Sequence, residues 1–239
     1  SSSAPYNGAT CSGLVQMTKF LKLGVPVVLL PAVLLIIAAL YFAQGDGTPV
    51  TEAVAAEPID FSADMTLGAE DAPVTVIEYA SMSCNHCALF HSSTFPDLKK
   101  NYIDTGKVKF MYRDFPIPSH SQAYPAALLA ECVRDQGGDS AYFEVHDYIF
   151  ANKYDYDAIV DLALGLGVDE GELTECFEND TFKDEIENDM DDARNLLLPS
   201  EVKAGKGIGT PSFSVGGIRV RGAQPFEVFE QIIEAQLAE

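Results

Sequence analysis

The chain has 239 residues, enough for one good-sized domain and an appendage. Its 15 basic and 36 acidic residues leave a net charge of −21, which would repel phosphate backbones and argues against nucleic-acid binding. An apolar share of 47% is ordinary for a globular protein.

Residues 1–45 contain Lys19 and Lys22 and no acid, so all the negative charge lies beyond them. Leu23 to Ala43 carries no charge, and as a helix it would run roughly 31 Å, the thickness of a bilayer core. This predicts a transmembrane helix at 23–43; Pro26 and Pro31 are tolerated in such a setting. A signal peptide cut near Ala53-Val54-Ala55 competes, but the apolar run is long for one and that point lies well past its end. The positive-inside rule makes 1–22 an inner-side tail, holding a free Cys11, and puts the acidic bulk outside. The expected place is a bacterial inner membrane, crossed once, with the C-terminal domain in the periplasm. The Ser-rich, acid-free start also suits an organellar presequence, so a mitochondrial inner membrane facing the intermembrane space stays open.

Residues 44–64, rich in Gly, Pro, Ala, Thr and acids, read as a linker, and the folded domain as 65–239. Val74–Tyr79 is a β-branched strand. A helix is expected from about Asn85 to Lys100, then an alternating strand, Val108–Arg113. Helices are expected near Gln122–Asp135, Ala141–Asn152, Tyr156–Leu166, Glu170–Asn179 and Asp184–Lys203. Pro211–Val215 and Ile218–Val220 are strands joined by a Gly216-Gly217 turn, and Pro225–Leu237 is an amphipathic helix. The order implies an α/β thioredoxin fold: a βαβ unit, a helical insertion at about 119–205, and a closing hairpin and helix.

Cys84-Asn85-His86-Cys87 stands where a strand hands over to a helix. A thiol there faces the N–H groups and positive dipole end of the helix, which lowers its pKa from about 8.5 toward roughly 3.5–7.5. His86 can add a donor beside it. The stabilised thiolate is a good leaving group and makes the disulfide oxidising. Cys84 is then the exposed sulfur that forms mixed disulfides, and Cys87 the resolving one. Half a zinc site and a plain structural disulfide are the alternatives; no second CxxC supplies the missing ligands, and strand–CxxC–helix is a redox context. No metal and no cofactor is expected.

The stretch VTVIEYASMSCNHCALFH resembles the active-site region of DsbA-like thioredoxin-fold disulfide oxidoreductases, particularly an alphaproteobacterial, membrane-anchored group. GIGTPSFSVGG is similar to that family's loop, in which the residue before a cis-proline faces the CxxC. The resemblance covers roughly residues 65–237. It implies Pro211 as the cis-proline, Thr210 as its partner in binding a substrate strand, and Glu78 as a buried acid assisting proton transfer at Cys87. An ordinary strand-end carboxylate is the other reading of Glu78. The family's usual dipeptide is Pro-His; Asn85 departs from it and points to a weaker oxidant. The resemblance also implies a second disulfide, Cys132–Cys176, against the alternative of two buried free thiols.

His91 and His146 read as surface or boundary residues, and His120 as peripheral to a substrate groove. The acidic run 184–192 reads as a solvated helix face. The expected activity is a dithiol oxidase forming disulfides in exported, cysteine-containing proteins, reoxidised by a quinone-linked, DsbB-like membrane partner or another thiol partner. An isomerase or reductase, and an accessory subunit of a larger membrane complex, are the alternatives.

Overall fold

A computed structural model of the chain describes residues 52–53, 65–197 and 207–238. The expected membrane helix at 23–43 and Cys11 lie outside the described residues. Among the described residues no helix is long and apolar enough to cross a membrane.

The strands are β1 (Glu52–Ala53), β2 (Met65–Leu67), β3 (Val74–Ala80), β4 (Val108–Asp114), β5 (Ser212–Val215) and β6 (Ile218–Arg221). They form one sheet in the order β1-β6-β5-β3-β4-β2. Among the described residues only β3 and β4 pair in parallel, as a crossover through a helix requires. The helices are α1 (Asn85–Ser93), α2 (Phe95–Leu98), α3 (Ala123–Asn152), α4 (Tyr156–Gly165), α5 (Glu170–Glu178), α6 (Lys183–Leu197) and α7 (Phe226–Leu237).

Alternation along β3 sorts its side chains onto two faces. Val74, Val76 and Ala80 enter the main core with Phe90, Phe110, Phe213 and Phe229. Ile77 and Tyr79 enter a smaller core with Met111, Phe115, Ala193 and Leu197, closed by α6. Glu78 falls on the main-core side by the same two-residue period. Fully burying an aromatic or aliphatic side chain contributes about 1.5–3 kcal/mol, so the main core dominates the stability.

Five expectations change. The helix predicted over 85–100 breaks at Thr94, because Pro96 cannot continue α1, and α2 runs on into a π-helical turn at Lys99–Ile103. The helices expected near 122–135 and 141–152 are two arms of α3, kinked at Gly138, where φ is 71°. Strands β1 and β2 were not expected, being two and three residues long. β1 lies inside the stretch read as linker and pairs with β6 at the sheet edge. The acids of α6 are not simply solvated: Asp189 and Asp192 pair with buried Arg113, and Glu185 with Arg134. The hairpin turn is as expected, with φ of 52° and 83° at Gly216 and Gly217. A Cβ at Gly216 would lie 1.7 Å from the Gln236 side chain.

Candidate active site

β3 ends at Ala80, and a tight turn delivers Cys84 to the N-cap of α1, where its N–H donates to the Ser81 carbonyl at 2.9 Å. Cys84 is 7% exposed and Cys87, one turn deeper, 0%. The expected open thiol is therefore a narrow one, because the segment before β5 lies over it. The Cys84 thiol donates to the Thr210 carbonyl at 3.5 Å, and the Thr210–Pro211 peptide is cis. Thr210 Oγ1 is buried with no hydrogen bond among the described residues.

The two sulfurs have opposite acidities. Hydrogen bonding from the Cys87 thiol, then from the N–H groups of Cys87 and His86, outweighs burial and lowers the Cys84 pKa to about 5. Burial, reinforced by Cys84 and Glu78, pushes the Cys87 thiol far up. His86 contributes to Cys84 through its backbone, and its side chain is exposed. Ser83 links the rim of the site to His120, Oγ to Nδ1 at 3.0 Å.

Glu78 is 0% exposed. Burial raises its pKa well above the carboxylate range, opposed by His146 and assisted by Cys84. Its Oε2 is hydrogen-bonded to His91 Nε2 at 2.9 Å, and its Oε1 has no hydrogen bond among the described residues.

Here the reading of His91 and His146 is corrected. Their side chains are 5% and 0% exposed, since α3 lays its second arm over α1. His91 stacks on Phe150 at 4.4 Å and meets His146 edge-on at 4.6 Å. His146 Nδ1 is hydrogen-bonded to Asp147 Oδ1 at 2.8 Å. Polar groups buried on two facing helices are rarely without purpose, yet neither residue has a sequence signal beyond its helical position. One atom from each of His91, His146 and Asp147 falls within 4.8 Å of the others. That is looser than the roughly 3.4 Å edge of a tetrahedral site with 2.0–2.1 Å bonds, and it suits a hydrogen-bonded chain better than a coordination shell.

Away from this site, Cys132 of α3 and Cys176 of α5 form a disulfide with Cα atoms 5.8 Å apart.

The family profile described as Thioredoxin matches residues 61–235. The chain belongs to the thioredoxin family. Among family relatives, a putative protein-disulfide oxidoreductase of Rickettsia bellii is 35% identical over 164 residues, covering 65% of this chain and 58% of that protein. This chain thus spans little more than half the length of that relative. Disulfide bond formation protein D of Bacillus subtilis is 27% identical over 194 residues, 78% of this chain and 82% of that one. The crystal structure of Wolbachia pipientis alpha-DsbA1 superposes with a TM-score of 0.60 at 27% identity, covering 76% of this chain and 94% of that one. In this thioredoxin-family chain the cysteine pair, Glu78 and the Thr210–Pro211 peptide meet at the ends of β3, α1 and β5.

Proposed function

We propose that the chain is a membrane-tethered thiol–disulfide oxidoreductase whose Cys84/Cys87 pair works as a dithiol oxidase on exported, cysteine-containing proteins. The observation that carries this is the placement of the two thiols: Cys84 at the N-cap of α1 against the Thr210 carbonyl, 7% exposed and lowered to about 5, and Cys87 wholly buried beneath it and raised. A stabilised Cys84 thiolate favours the reduced pair, and so gives the disulfide oxidising power. The names of the relatives point the same way.

In the reaction a substrate thiolate attacks Cys84 Sγ of the disulfide. The Cys84–Cys87 bond breaks, and Cys87 leaves with the electron pair and takes a proton from Glu78. A second substrate thiolate then attacks the substrate sulfur of the mixed disulfide and releases Cys84 as thiolate. Two electrons have passed from the substrate dithiol to the protein. The backbone at Thr210 and Pro211, beside β5, offers the edge on which an extended substrate segment docks. A quinone-linked membrane protein would restore the disulfide, and residues 23–43 would hold the domain beside it on the periplasmic side of a bacterial inner membrane.

The test is the reduction potential of the pair, by equilibration with glutathione, with Cys84→Ser as the control for the signal. An oxidase sits well above about −200 mV, whereas a value near about −270 mV, that of thioredoxin, overturns the oxidase reading. Recovery of the full-length chain in carbonate-washed membranes tests the tether; release into the wash refutes it.

A further inference from the structure

Glu78 gives Cys87 a proton when the disulfide is reduced and takes one from it when the disulfide re-forms. Burial holds the carboxyl neutral in between, so a proton must enter and leave, and with 0% exposure Glu78 has no direct access to water. Its one hydrogen bond among the described residues leads to His91. Beyond that bond two buried nitrogens have no partner, His91 Nδ1 and His146 Nε2. The two rings are 4.6 Å apart at an interplanar angle of 81°. The far nitrogen of His146 is bonded to Asp147 Oδ1 at 2.8 Å, and the Asp147 side chain is 66% exposed. A cavity of about 360 Å³ beside them is lined by His91, Phe95, Lys99, Asp147 and Phe150.

We propose that His91 and His146 form a proton path that joins the buried Glu78 carboxyl to the solvent-exposed Asp147. The proposal rests on the exchange reaction above and names what that reaction needs. Neither histidine touches the reacting sulfurs; both act through Glu78, as positioning residues.

The protons balance as follows. When the disulfide re-forms, Cys87 gives its proton to Oε1 of the neutral Glu78 carboxyl, which passes the proton on Oε2 to His91 Nε2. His91 passes its Nδ1 proton to His146 Nε2, and His146 passes its Nδ1 proton to the Asp147 carboxylate, which releases it to water. Each ring exchanges tautomer and keeps its charge, and no electrons move along the path. A transient rotation of one ring closes the gap between them. Burial supports this, because it holds both imidazoles neutral, lowering His91 to about 3 and His146 to about 4. A neutral imidazole is the form that can accept at one nitrogen and donate at the other. The other titratable groups facing the path are Cys84 and Cys87 of α1, Tyr112 and Asp114 of β4, Tyr142 of α3, and Lys99 toward Asp147.

The experiment uses the full chain. Oxidation of the reduced Cys84/Cys87 pair by oxidised glutathione is followed by stopped flow between pH 5 and 9, in H2O and in D2O. His146→Phe keeps the ring and removes both nitrogens; Asp147→Asn alters only the exposed end. The expected result is a fall of about 10- to 100-fold for His146→Phe. A smaller fall is expected for Asp147→Asn, with a larger solvent isotope effect in both and an unmoved alkylation pKa at Cys84. His146→Ala should regain rate when imidazole is added. Wild-type rates and isotope effects in Asp147→Asn, or in a folded His146→Phe, overturn the path. So does a shifted Cys84 pKa, which would mark a purely structural role. A wild-type dithiol inert to oxidised glutathione would sink the exchange reading instead, a distinguishable failure.

Discussion

Cys84 lies at the N-cap of α1 and Cys87 one turn further in, and three residues of helix carry the chain from a 7% exposed thiol to a wholly buried one. Alkylation of reduced Cys84 should therefore climb with pH to a plateau just above pH 6, with an apparent pKa of about 5. An apparent pKa near 9 would contradict the hydrogen bonding described. Stability follows from the same shift. Between about pH 5 and 9 the folded chain holds Cys84 ionised while the unfolded chain holds it protonated, so its contribution rises with pH across that window and is lost as pH falls through 5. Burial of Asp114, raised to about 7, acts in the opposite sense at the acid end. The clean measurement is thus the difference between reduced wild type and Cys84→Ser in denaturant unfolding. It should grow by up to about 1.4 kcal/mol per pH unit, and a difference flat with pH would refute it.

At this scale the sequence was informative where chemistry and spacing coincide. Cys84 and Cys87 follow a β-branched run, and Glu78, which the family resemblance singled out, stands six residues before Cys84 on that strand. His91 and His146 were misjudged because their burial comes from α3 lying across α1. Such contacts between segments distant in sequence leave no periodic trace in either helix.

Among the elements, α3 and α5 are joined by Cys132–Cys176, which closes a separation of 44 residues. Replacing both by Ala should cost about 2–4 kcal/mol of stability and leave the rate of exchange at Cys84 within about twofold of wild type, since no part of the site lies in α5. A large loss of exchange would mean the insertion and the site are coupled. Asp169 caps α5 by accepting from the Glu172 N–H at 3.0 Å, and Asp169→Ala should cost about 1 kcal/mol by thermal unfolding. The helical segments of the insertion were readable in the sequence, although 122–135 and 141–152 are the two arms of α3. Pro96 could have ended α1 in the sequence reading, as it does in the structure. β2 was not readable, because three residues cannot show a period, and its place is set by pairing with β4. The acids of α6 could be counted in the sequence, but not the arginines they meet on β4 and α3.

For the whole molecule, two neutral imidazoles buried between helices set a limit toward acid. The unfolded chain protonates them near pH 6.5, while the folded chain resists until about 3 to 4. Below pH 6.5 their depressed values favour the unfolded state increasingly as pH falls. The stability lost between pH 6.5 and 4.5 should be smaller in His146→Phe than in wild type; an equal loss would show that other groups govern acid unfolding.

The bond from Cys84 to Thr210 spans 126 residues. During synthesis at about 5–20 residues per second, the thiol precedes that partner by roughly 6 to 25 s. For that interval β5 is also missing from its place beside β3. Until those last strands arrive, Cys84 meets its surroundings without half of its site, and the finished character of this cysteine is among the last properties the growing chain acquires.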